Sequence, residues 1–298
     1  MQAPEIDVPL QVFETVAAAR DFVQTRRFGT VSSPDSKPHR VGVVLTMGAL
    51  HEGHESLIRQ SAKECGSTVV SIFLNPTQFA AGEDLSKYPR TLDADLKRCA
   101  VSGADAVFVP TPEVIYPAGF STQVIPPEIA KTLEGQARPE HFGGVCLVVS
   151  KLMNILPGDR AYFGKKDYQQ WRVIQAMTRD LNLDVDVVAC PIIRDPDGLA
   201  LSSRNVYLSA KDRGRALSIH RALRTAAAEH AGGQRDVGVL ETILREELKP
   251  VDEIQYAVVR DAETLAEVQT VQRAAVMLIA ARVGNTRLID NQELNEPD

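Results

Sequence analysis

The sequence has few cysteines, few aromatic residues and no long apolar run. Its four cysteines, in 298 residues, lie far apart without a Cys-x-x-Cys pair, which excludes a zinc ribbon and a dithiol redox motif. Aromatic residues make up 5% of the chain and 33 basic residues face 39 acidic ones, so no RNA-binding surface is indicated. No apolar stretch approaches the roughly 18 residues of a membrane helix, and no signal-peptide pattern opens the sequence. We therefore expect a cytoplasmic protein that binds neither nucleic acid nor membranes.

Short apolar runs alternate with segments of helical periodicity. The runs at 41–45, 68–74, 104–109 and 184–189, and one that begins at Ala161, predict buried strands of a parallel sheet. Periodicity predicts helices over 11–26, 55–65, 91–102, 145–155, 210–229 and 237–248, and two later strands over 254–259 and 276–280. The composition shifts near residue 193. We expect an α/β fold, with a Rossmann-like nucleotide-binding domain over 1–193 and a smaller C-terminal α+β lid domain over 194–298.

A polar segment with two histidines follows the first of these runs. It reads Thr46-Met47-Gly48-Ala49-Leu50-His51-Glu52-Gly53-His54 and precedes a predicted helix. Backbone N–H groups at a helix start favour negative charge, and His51 and His54 add imidazole donors for a phosphate. Gly48 and Gly53 let the backbone approach a bulky ligand. The alternative is a pair of surface histidines; zinc lacks a third ligand here, and the His-Glu-x-x-His spacing of metalloproteases is absent.

Polar residues also follow the later strands, at the edge where open α/β folds bind ligands. Asn75-Pro76 stops the second strand and places Gln78 there, either as a ligand group or as a loop amide. Asp95 lies in the first turn of a predicted helix, where it either suits the helix dipole or helps to hold Mg²⁺. Arg138 and His141 precede another helix and either orient an anionic or hydroxylated substrate or are solvated in a loop. These four side chains are candidates for binding a second substrate or a metal.

Two later segments carry cationic and hydroxyl groups. Gly164-Lys165-Lys166-Asp167 joins a strand to a helix, but it is not a Walker A loop, because the glycine spacing differs and no Ser or Thr follows the lysines. It is either a solvated lysine pair or a place for a nucleotide. Ser202-Ser203-Arg204 lies in a Gly- and Ser-rich loop that begins at Ile193, and its hydroxyl and guanidinium donors suit phosphate oxygens. We expect this loop to be mobile and to close over a triphosphate.

Together these segments resemble the pantoate–β-alanine ligase family. The first segment is similar to the HIGH signature of nucleotidyl-transferring enzymes related to the class I aminoacyl-tRNA synthetases. Further motifs follow in the family's order at 73–79, 88–91, 138–142, 163–170 and 198–205. The resemblance spans about residues 11 to 292.

The resemblance implies a two-step reaction with ATP and Mg²⁺. The carboxylate of pantoate attacks the α-phosphorus of ATP, which gives pantoyl adenylate and pyrophosphate; the amine of β-alanine then attacks the acyl carbon and releases AMP. By similarity, the residues that bind ATP are Met47, Gly48, Ala49, Leu50, His51, Glu52, Gly53, His54, Gly164, Lys165, Lys166, Asp167, Ile193, Leu201, Ser202, Ser203 and Arg204. The implied catalytic residues are His51, His54, Lys166, Ser202, Ser203 and Arg204, with His54 as the proton donor. Gln78 and Gln170 are implied to bind pantoate, and Gln78 also β-alanine.

Three positions depart from the family pattern, and two other functions stay open. Leu45, Glu55 and Lys165 stand where proline, an apolar residue, and Glu or Gln are usual. The family also implies a homodimer with the partner surface on the first domain. A phosphopantetheine or nicotinate adenylyltransferase-like enzyme shares the strand and His-x-Gly-His arrangement, but it does not account for Gln78 and Gln170. A non-catalytic nucleotide-binding protein of the same fold is the other alternative, and it has less need of the cationic groups.

Overall fold

Two compact units make up the computed structural model, which describes residues 10–29, 40–78 and 88–294. The first unit contains the described residues up to Gly164, together with Val173–Cys190. The second takes Lys165–Arg172 and those from Pro191 onward. No helix in the described ranges has the length and apolar composition that crossing a membrane requires.

The first unit contains a parallel sheet. In chain order its strands are β1 (Gln11–Phe13), β2 (Val41–Thr46), β3 (Ser67–Ile72), β4 (Ala106–Phe108), β5 (Arg160–Gly164) and β6 (Asp186–Cys190). Among the described residues, their spatial order is β1-β4-β3-β2-β5-β6. All of β3 is buried, and all of β2 except Leu45 is buried, as is typical of a parallel sheet that is covered on both faces. The predicted α/β fold is confirmed.

Helices connect these strands and cover the sheet. They are α1 (Val16–Phe28), α2 (Glu52–Glu64), α3 (Leu92–Val101), α4 (Pro112–Ile115), α5 (Glu134–Ala137), α6 (His141–Ile155) and α7 (Tyr168–Asp180). Leu57 and Ile58 of α2 share a buried cluster with Val44 and Val70 of the two central strands. Burying a side chain of this size contributes roughly 1.5–3 kcal/mol, so α2 is fixed on the sheet by its apolar face.

The strand order reverses at β2. The chain places β3 and β4 on one side of β2 and β5 and β6 on the other. Connections that leave adjacent strands in opposite directions open a crevice at the carboxyl ends of the strands, and open α/β folds bind ligands there. The two-histidine segment leaves β2 at this point.

Among its described residues, the second unit combines an antiparallel sheet with two complete helices and the start of α7. Its strands are β7 (Glu253–Asp261), β8 (Ala275–Val283) and β9 (Thr286–Leu294), paired in that order, and its helices are α8 (Ala210–Ala231) and α9 (Val237–Glu247). Leu223 of α8 and Leu240 of α9 are buried in one cluster with Met277 and Ile279 of the central strand. The predicted smaller α+β architecture after the Rossmann-like sheet is confirmed.

One predicted element was wrong in kind, and strand β9 and the short helices α4 and α5 were not predicted. The segment 11–26 was predicted as one helix, but Gln11–Phe13 pairs with Ala106–Phe108 as a parallel edge strand, and the helix begins only after Thr15, whose side chain accepts a hydrogen bond from Ala18 N. Strand β9 was not predicted, because polar Asp290 and Asn291 interrupt its apolar pattern. Helix α6 begins at His141, four residues before the predicted start. Residues 30–39, between α1 and β2, lie outside the described residues.

The four cysteines are buried thiols. Burial raises the pKa of Cys65, raises the pKa of Cys99 and Cys146 to about 12, and raises that of Cys190 to about 11. Because the thiolate is the reactive form, we expect iodoacetamide to label the native protein very slowly at about pH 8 and to label all four cysteines in denaturant. Mass spectrometry of the intact protein measures this labelling. Rapid modification of any one thiol in the native state would contradict the burial described here.

Candidate active site

The segment between β2 and α2 turns through left-handed backbone. Gly48 has a φ of +85° and Ala49 a φ of +51°. Glycine adopts such values freely, whereas a residue with a Cβ is strained there by roughly 1–2 kcal/mol. Something outside the turn must therefore hold Ala49 in place.

The carboxylate of Asp95 holds this turn. Its oxygens accept hydrogen bonds from Ala49 N at 2.9 Å and Leu50 N at 2.8 Å, and from Thr91 Oγ1 at 3.1 Å. Asp95 lies in the first turn of α3 and is 2% exposed. Tyr88, for which the sequence predicted no individual role, donates its hydroxyl to the carbonyl of Gly48. The backbone N–H groups of Ala49 and Leu50, two of the residues predicted to contact ATP, are thus bonded to a side chain.

These contacts bear on the metal role predicted for Asp95. Both of its oxygens already accept backbone N–H groups, which leaves little lone-pair capacity for a cation. Within the described ranges, no group of three or more His, Cys, Asp or Glu side chains is arranged to hold a metal ion. The contacts of Asp95 support a positioning role, and its metal role stays a prediction.

His51 and His54 form a reciprocal cap at the start of α2. Nδ1 of His51 accepts a hydrogen bond from Gly53 N at 3.1 Å, and Nδ1 of His54 accepts one from His51 N at 3.3 Å. A neutral imidazole whose Nδ1 is an acceptor carries its proton on Nε2. Both rings, whose centroids are 4.2 Å apart, therefore present Nε2–H donors. In the neutral rings, the cap favours the tautomer that carries the proton on Nε2.

Glu55, one of the departures from the family pattern, is a buried member of an ion-pair network. It is 7% exposed and pairs with Arg59 on its own helix and with Arg98 on α3. Arg59 also pairs with Glu52, and that hydrogen bond is the main reason why the pKa of Glu52 is lowered. The acidic residue at this position therefore links α2 to the helix that carries Asp95.

Gln78 lies in a short 3₁₀ turn, Pro76–Gln78, next to three other predicted residues. Its amide nitrogen is 2.7 Å from Sδ of Met47. Its backbone carbonyl oxygen is 3.0 Å from Nδ1 of His141 and accepts a hydrogen bond from Arg138 at 3.4 Å. The first unit thus brings Met47, Gln78, Arg138 and His141 together, although their contacts with one another explain part of that arrangement without any ligand.

Asn75 organises this group, and no role was predicted for it. It is 1% exposed, donates to the Gln78 side chain at 3.2 Å and accepts from the Tyr116 hydroxyl at 2.8 Å. It also donates to the carbonyl of Gly144 on α6, where a Cβ would lie 2.1 Å from the Thr77 carbonyl oxygen. An asparagine directly after a predicted buried strand, 68–74, is the signal that was available in the sequence.

The lysine segment of the second unit is a single 3₁₀ turn, Lys165–Asp167, that leads into α7. The Lys166 side chain is mostly buried, and its ammonium lies 4.0 Å from Asp167. Lys165, another departure from the family pattern, pairs with Glu293 and lies over the ring of Trp171. Gln170 lies in the first turn of α7 and is partly exposed.

The segment over 193–204 is tied to itself by hydrogen bonds. Arg194 and Ala200 form an antiparallel bridge, and Leu201 N donates to the Ile193 carbonyl at 2.9 Å. The hydroxyl of Ser202 then caps the 3₁₀ turn Ser203–Tyr207 by accepting from Arg204 N at 3.2 Å. This conformation positions the Ser-Ser-Arg sequence at the end of a small ladder. Closure over a triphosphate stays a prediction.

Comparison with known proteins gives consistent matches over nearly the whole chain. The family model described as pantoate-beta-alanine ligase matches residues 11–293. The chain is 51% identical over 288 residues to the pantothenate synthetase of Rhodopirellula baltica, with 96% of this chain and 99% of that protein covered. For the pantothenate synthetase of Thermotoga petrophila the identity is 44% over 284 residues, covering 95% and 99%.

The solved structures that resemble this one include two from different organisms. The pantothenate synthetase of Thermus thermophilus gives a TM-score of 0.87 at 38% identity, covering 96% of this chain and 100% of that one. The pantoate-beta-alanine ligase of Francisella tularensis, solved in complex with beta-gamma ATP and beta-alanine, gives a TM-score of 0.74 at 32% identity, covering 95% and 97%.

The role of Asp95 in holding the turn is testable with Asp95→Asn. An asparagine offers one acceptor and one donor, so an NH₂ group would meet a backbone N–H. We expect ATP affinity to fall roughly tenfold, the equivalent of about 1.4 kcal/mol. The Mg²⁺ concentration at which ATP binding is half-maximal should stay unchanged. Isothermal titration calorimetry at several Mg²⁺ concentrations measures both quantities.

The matched control for this substitution is Asp93→Asn, which makes the same chemical change at an exposed position of the same helix. It should leave ATP affinity unchanged. If Asp95→Asn binds ATP normally, the positioning role is wrong. If the substitution changes only the Mg²⁺ concentration that ATP binding requires, the positioning role is wrong and the metal role is supported instead.

Proposed function

The chain belongs to the pantoate-beta-alanine ligase family. We propose a role for each of its candidate site residues in the two steps of the ligation. The protein is a ligase that uses ATP to join pantoate to β-alanine. In the first step the carboxylate of pantoate attacks the α-phosphorus of ATP, and pyrophosphate leaves. In the second step the amine of β-alanine attacks the acyl carbon of pantoyl adenylate, and AMP leaves.

The capped histidine pair is the observation that carries the assignment of roles. Because both Nδ1 atoms accept backbone N–H groups, each ring is fixed in orientation and presents its Nε2–H as a donor. Donors held in advance where negative charge develops stabilise a transition state without reorganisation. We propose that His51 and His54 donate hydrogen bonds to phosphate oxygens in this way. Because a neutral imidazole that lost its Nε2 proton would become an imidazolate, we propose that His54 stabilises the departing pyrophosphate by this hydrogen bond and not by the proton transfer that the resemblance implies.

We propose that Lys166, Ser202, Ser203 and Arg204 of the second unit also bind the phosphates of ATP. Fixed ammonium, hydroxyl and guanidinium donors suit phosphate oxygens. The remaining predicted ATP contacts are proposed on the resemblance alone, and they are Met47, Gly48, Ala49, Leu50, Glu52, Gly53, Gly164, Lys165, Asp167, Ile193 and Leu201. In-line attack at phosphorus mainly requires positioning and positive charge, and these residues supply both.

The organic substrates are assigned to the neutral amides. We propose that Gln78 and Gln170 hydrogen-bond the hydroxyl groups of pantoate, and that Gln78 also contacts β-alanine. An amide binds a hydroxyl group without neutralising the nearby carboxylate, so the nucleophile stays charged. Arg138 and His141 support this site through the Gln78 carbonyl and are proposed to orient the substrate.

We further propose that Mg²⁺ reaches the site as the complex with ATP. Magnesium usually keeps several waters and binds through substrate phosphates and one or two carboxylates, which fits a protein site without a prepared cluster of ligands among the described residues. When bound, it would neutralise charge on the phosphates. A cytoplasmic location, and the absence of nucleic-acid partners, stay predictions.

The variant His54→Asn tests the histidine assignment. Its amide oxygen occupies the position of Nδ1 and preserves the cap, whereas the Nε2–H donor is lost. We expect thermal stability close to wild type and turnover lower by roughly 10²–10³-fold. AMP formation from ATP, Mg²⁺, pantoate and β-alanine measures turnover, and wild type should form AMP steadily only when both organic substrates are present.

Three results would count against this function. AMP formation with other acids but not with pantoate would overturn the substrate assignment. A dinucleotide product would favour an adenylyltransferase, and ATP binding without AMP from any acid would favour a non-catalytic nucleotide-binding protein. Full turnover of His54→Asn would remove the role of His54 alone.

We also propose that the protein is a homodimer, on the family resemblance. Light scattering coupled to size-exclusion chromatography should give twice the mass of one chain across a wide range of concentrations. A mass equal to that of one chain at the concentrations of the activity assay would refute the dimer.

A further inference from the structure

Strand β9 carries polar residues that contact the lysine turn, Lys165–Asp167, and Arg194 of the ladder that precedes the Ser-Ser-Arg sequence. Side chains alternate between the two faces of a strand, so Asn291 and Glu293 share one face and Asp290 lies on the other. Asp290 is 5% exposed and Asn291 is 3% exposed. Buried polar side chains destabilise a sheet unless they form hydrogen bonds. The hydrogen-bond partners of Asp290 and Asn291 therefore show what each side chain holds in place.

The first face holds the lysine turn. The Asn291 side-chain amide donates to the carbonyl of Lys165 at 2.8 Å and to that of Lys166 at 2.9 Å. Both of its N–H groups are thereby used, on consecutive carbonyls of one 3₁₀ turn. Glu293 pairs with the Lys165 ammonium and lies 3.2 Å from the hydroxyl of Tyr168, the first residue of α7. Two side chains of β9 thus fix the backbone that carries Lys166.

The opposite face holds the segment that leads to Ser202. Asp290 accepts two hydrogen bonds from the Arg194 guanidinium, at 2.6 and 2.9 Å. The same guanidinium donates to the Gly198 carbonyl at 3.2 Å, and Asp290 also accepts from the backbone N–H of Asn291 at 2.8 Å. Because Arg194 belongs to the bridge with Ala200, the bidentate pair anchors the small ladder that precedes the Ser-Ser-Arg sequence.

We propose that Asp290, Asn291 and Glu293 are positioning residues that set the lysine turn and the Ser-Ser-Arg segment relative to each other before ATP binds. All the contacts that carry this inference lie within the second unit. Adjacent residues of one strand hold the lysine turn and the ladder that leads into the Ser-Ser-Arg sequence, and the proposed phosphate donors lie in that turn or directly follow that ladder in the sequence. The inference rests on the proposed function, because it assumes that these two segments bind ATP.

The test is Asn291→Asp, with Gln292→Glu as the matched control. Both replace an amide by a carboxylate on the same strand, but only the first places a negative oxygen against two carbonyl oxygens. We expect Asn291→Asp to raise the Kd and KM for ATP roughly 10- to 100-fold and to leave the KM for pantoate within about twofold. Amide hydrogen exchange over 165–168 should quicken in this variant, whereas Gln292→Glu should match wild type in every readout.

The outcomes separate this inference from the proposed function. If wild type neither binds ATP nor forms AMP, the proposed function fails and this inference with it. If wild type is active and Asn291→Asp binds ATP normally despite faster exchange over 165–168, only the positioning role is overturned. Equal losses for ATP and pantoate would indicate general misfolding and would also overturn it. Should Asn291→Asp not fold, Glu293→Gln, which removes one charge, is expected to raise the KM for ATP several-fold while sparing that for pantoate.

Discussion

The hydrogen bonds between the Asp95 carboxylate and the amides of Ala49 and Leu50 are the contact on which the first unit's site depends. They hold a left-handed turn at the end of a central strand, and that turn decides where α2 begins. The start of α2 in turn brings each histidine Nδ1 to a backbone N–H. A carboxylate on a different helix therefore controls the direction of two imidazole donors. The ion pair of Glu55 with Arg98 ties the same two helices together a few residues further along.

Much of the fold was predictable because its strands are buried on both faces. Runs such as Val41–Leu45 contain almost no polar residue, which indicates a parallel sheet regardless of what surrounds it. Gln11–Phe13 has no such pattern, and its strand conformation comes from pairing with Ala106–Phe108. Strand β9 was missed for a related reason. Asp290 and Asn291 are buried through partners about 96 and 126 residues away in the sequence, and no local pattern reports such partners.

In the candidate site, too, local sequence predicted some features and distant contacts determine the others. The histidines, the lysine pair and the Ser-Ser-Arg sequence were visible as residue types that bind phosphate, and their order resembles one family. Their hydrogen-bond partners were not visible, since Asp95 looked like a possible metal ligand and Asn75 like the end of a strand. Sequence identifies groups that can act on a ligand more readily than it identifies the groups that hold them still, because the latter depend on distant contacts.

Helix α7 is shared between the two units, since Lys165–Arg172 belongs with the C-terminal strands and Val173–Cys190 with the parallel sheet. The Tyr168 hydroxyl reaches the Ala262 carbonyl at 2.9 Å, and Arg172 donates to the same oxygen at 2.8 Å. The C-terminal unit therefore cannot be exchanged between proteins as one continuous segment of sequence. Consider a chimera, natural or engineered, in which two family members are joined near residue 193. Its β9 and Ala262 carbonyl come from one parent, whereas the segment Lys165–Arg172 that they contact comes from the other. Selection on such hybrids would act on the fit between 165–172 and the incoming strands, and these two stretches of sequence should change together.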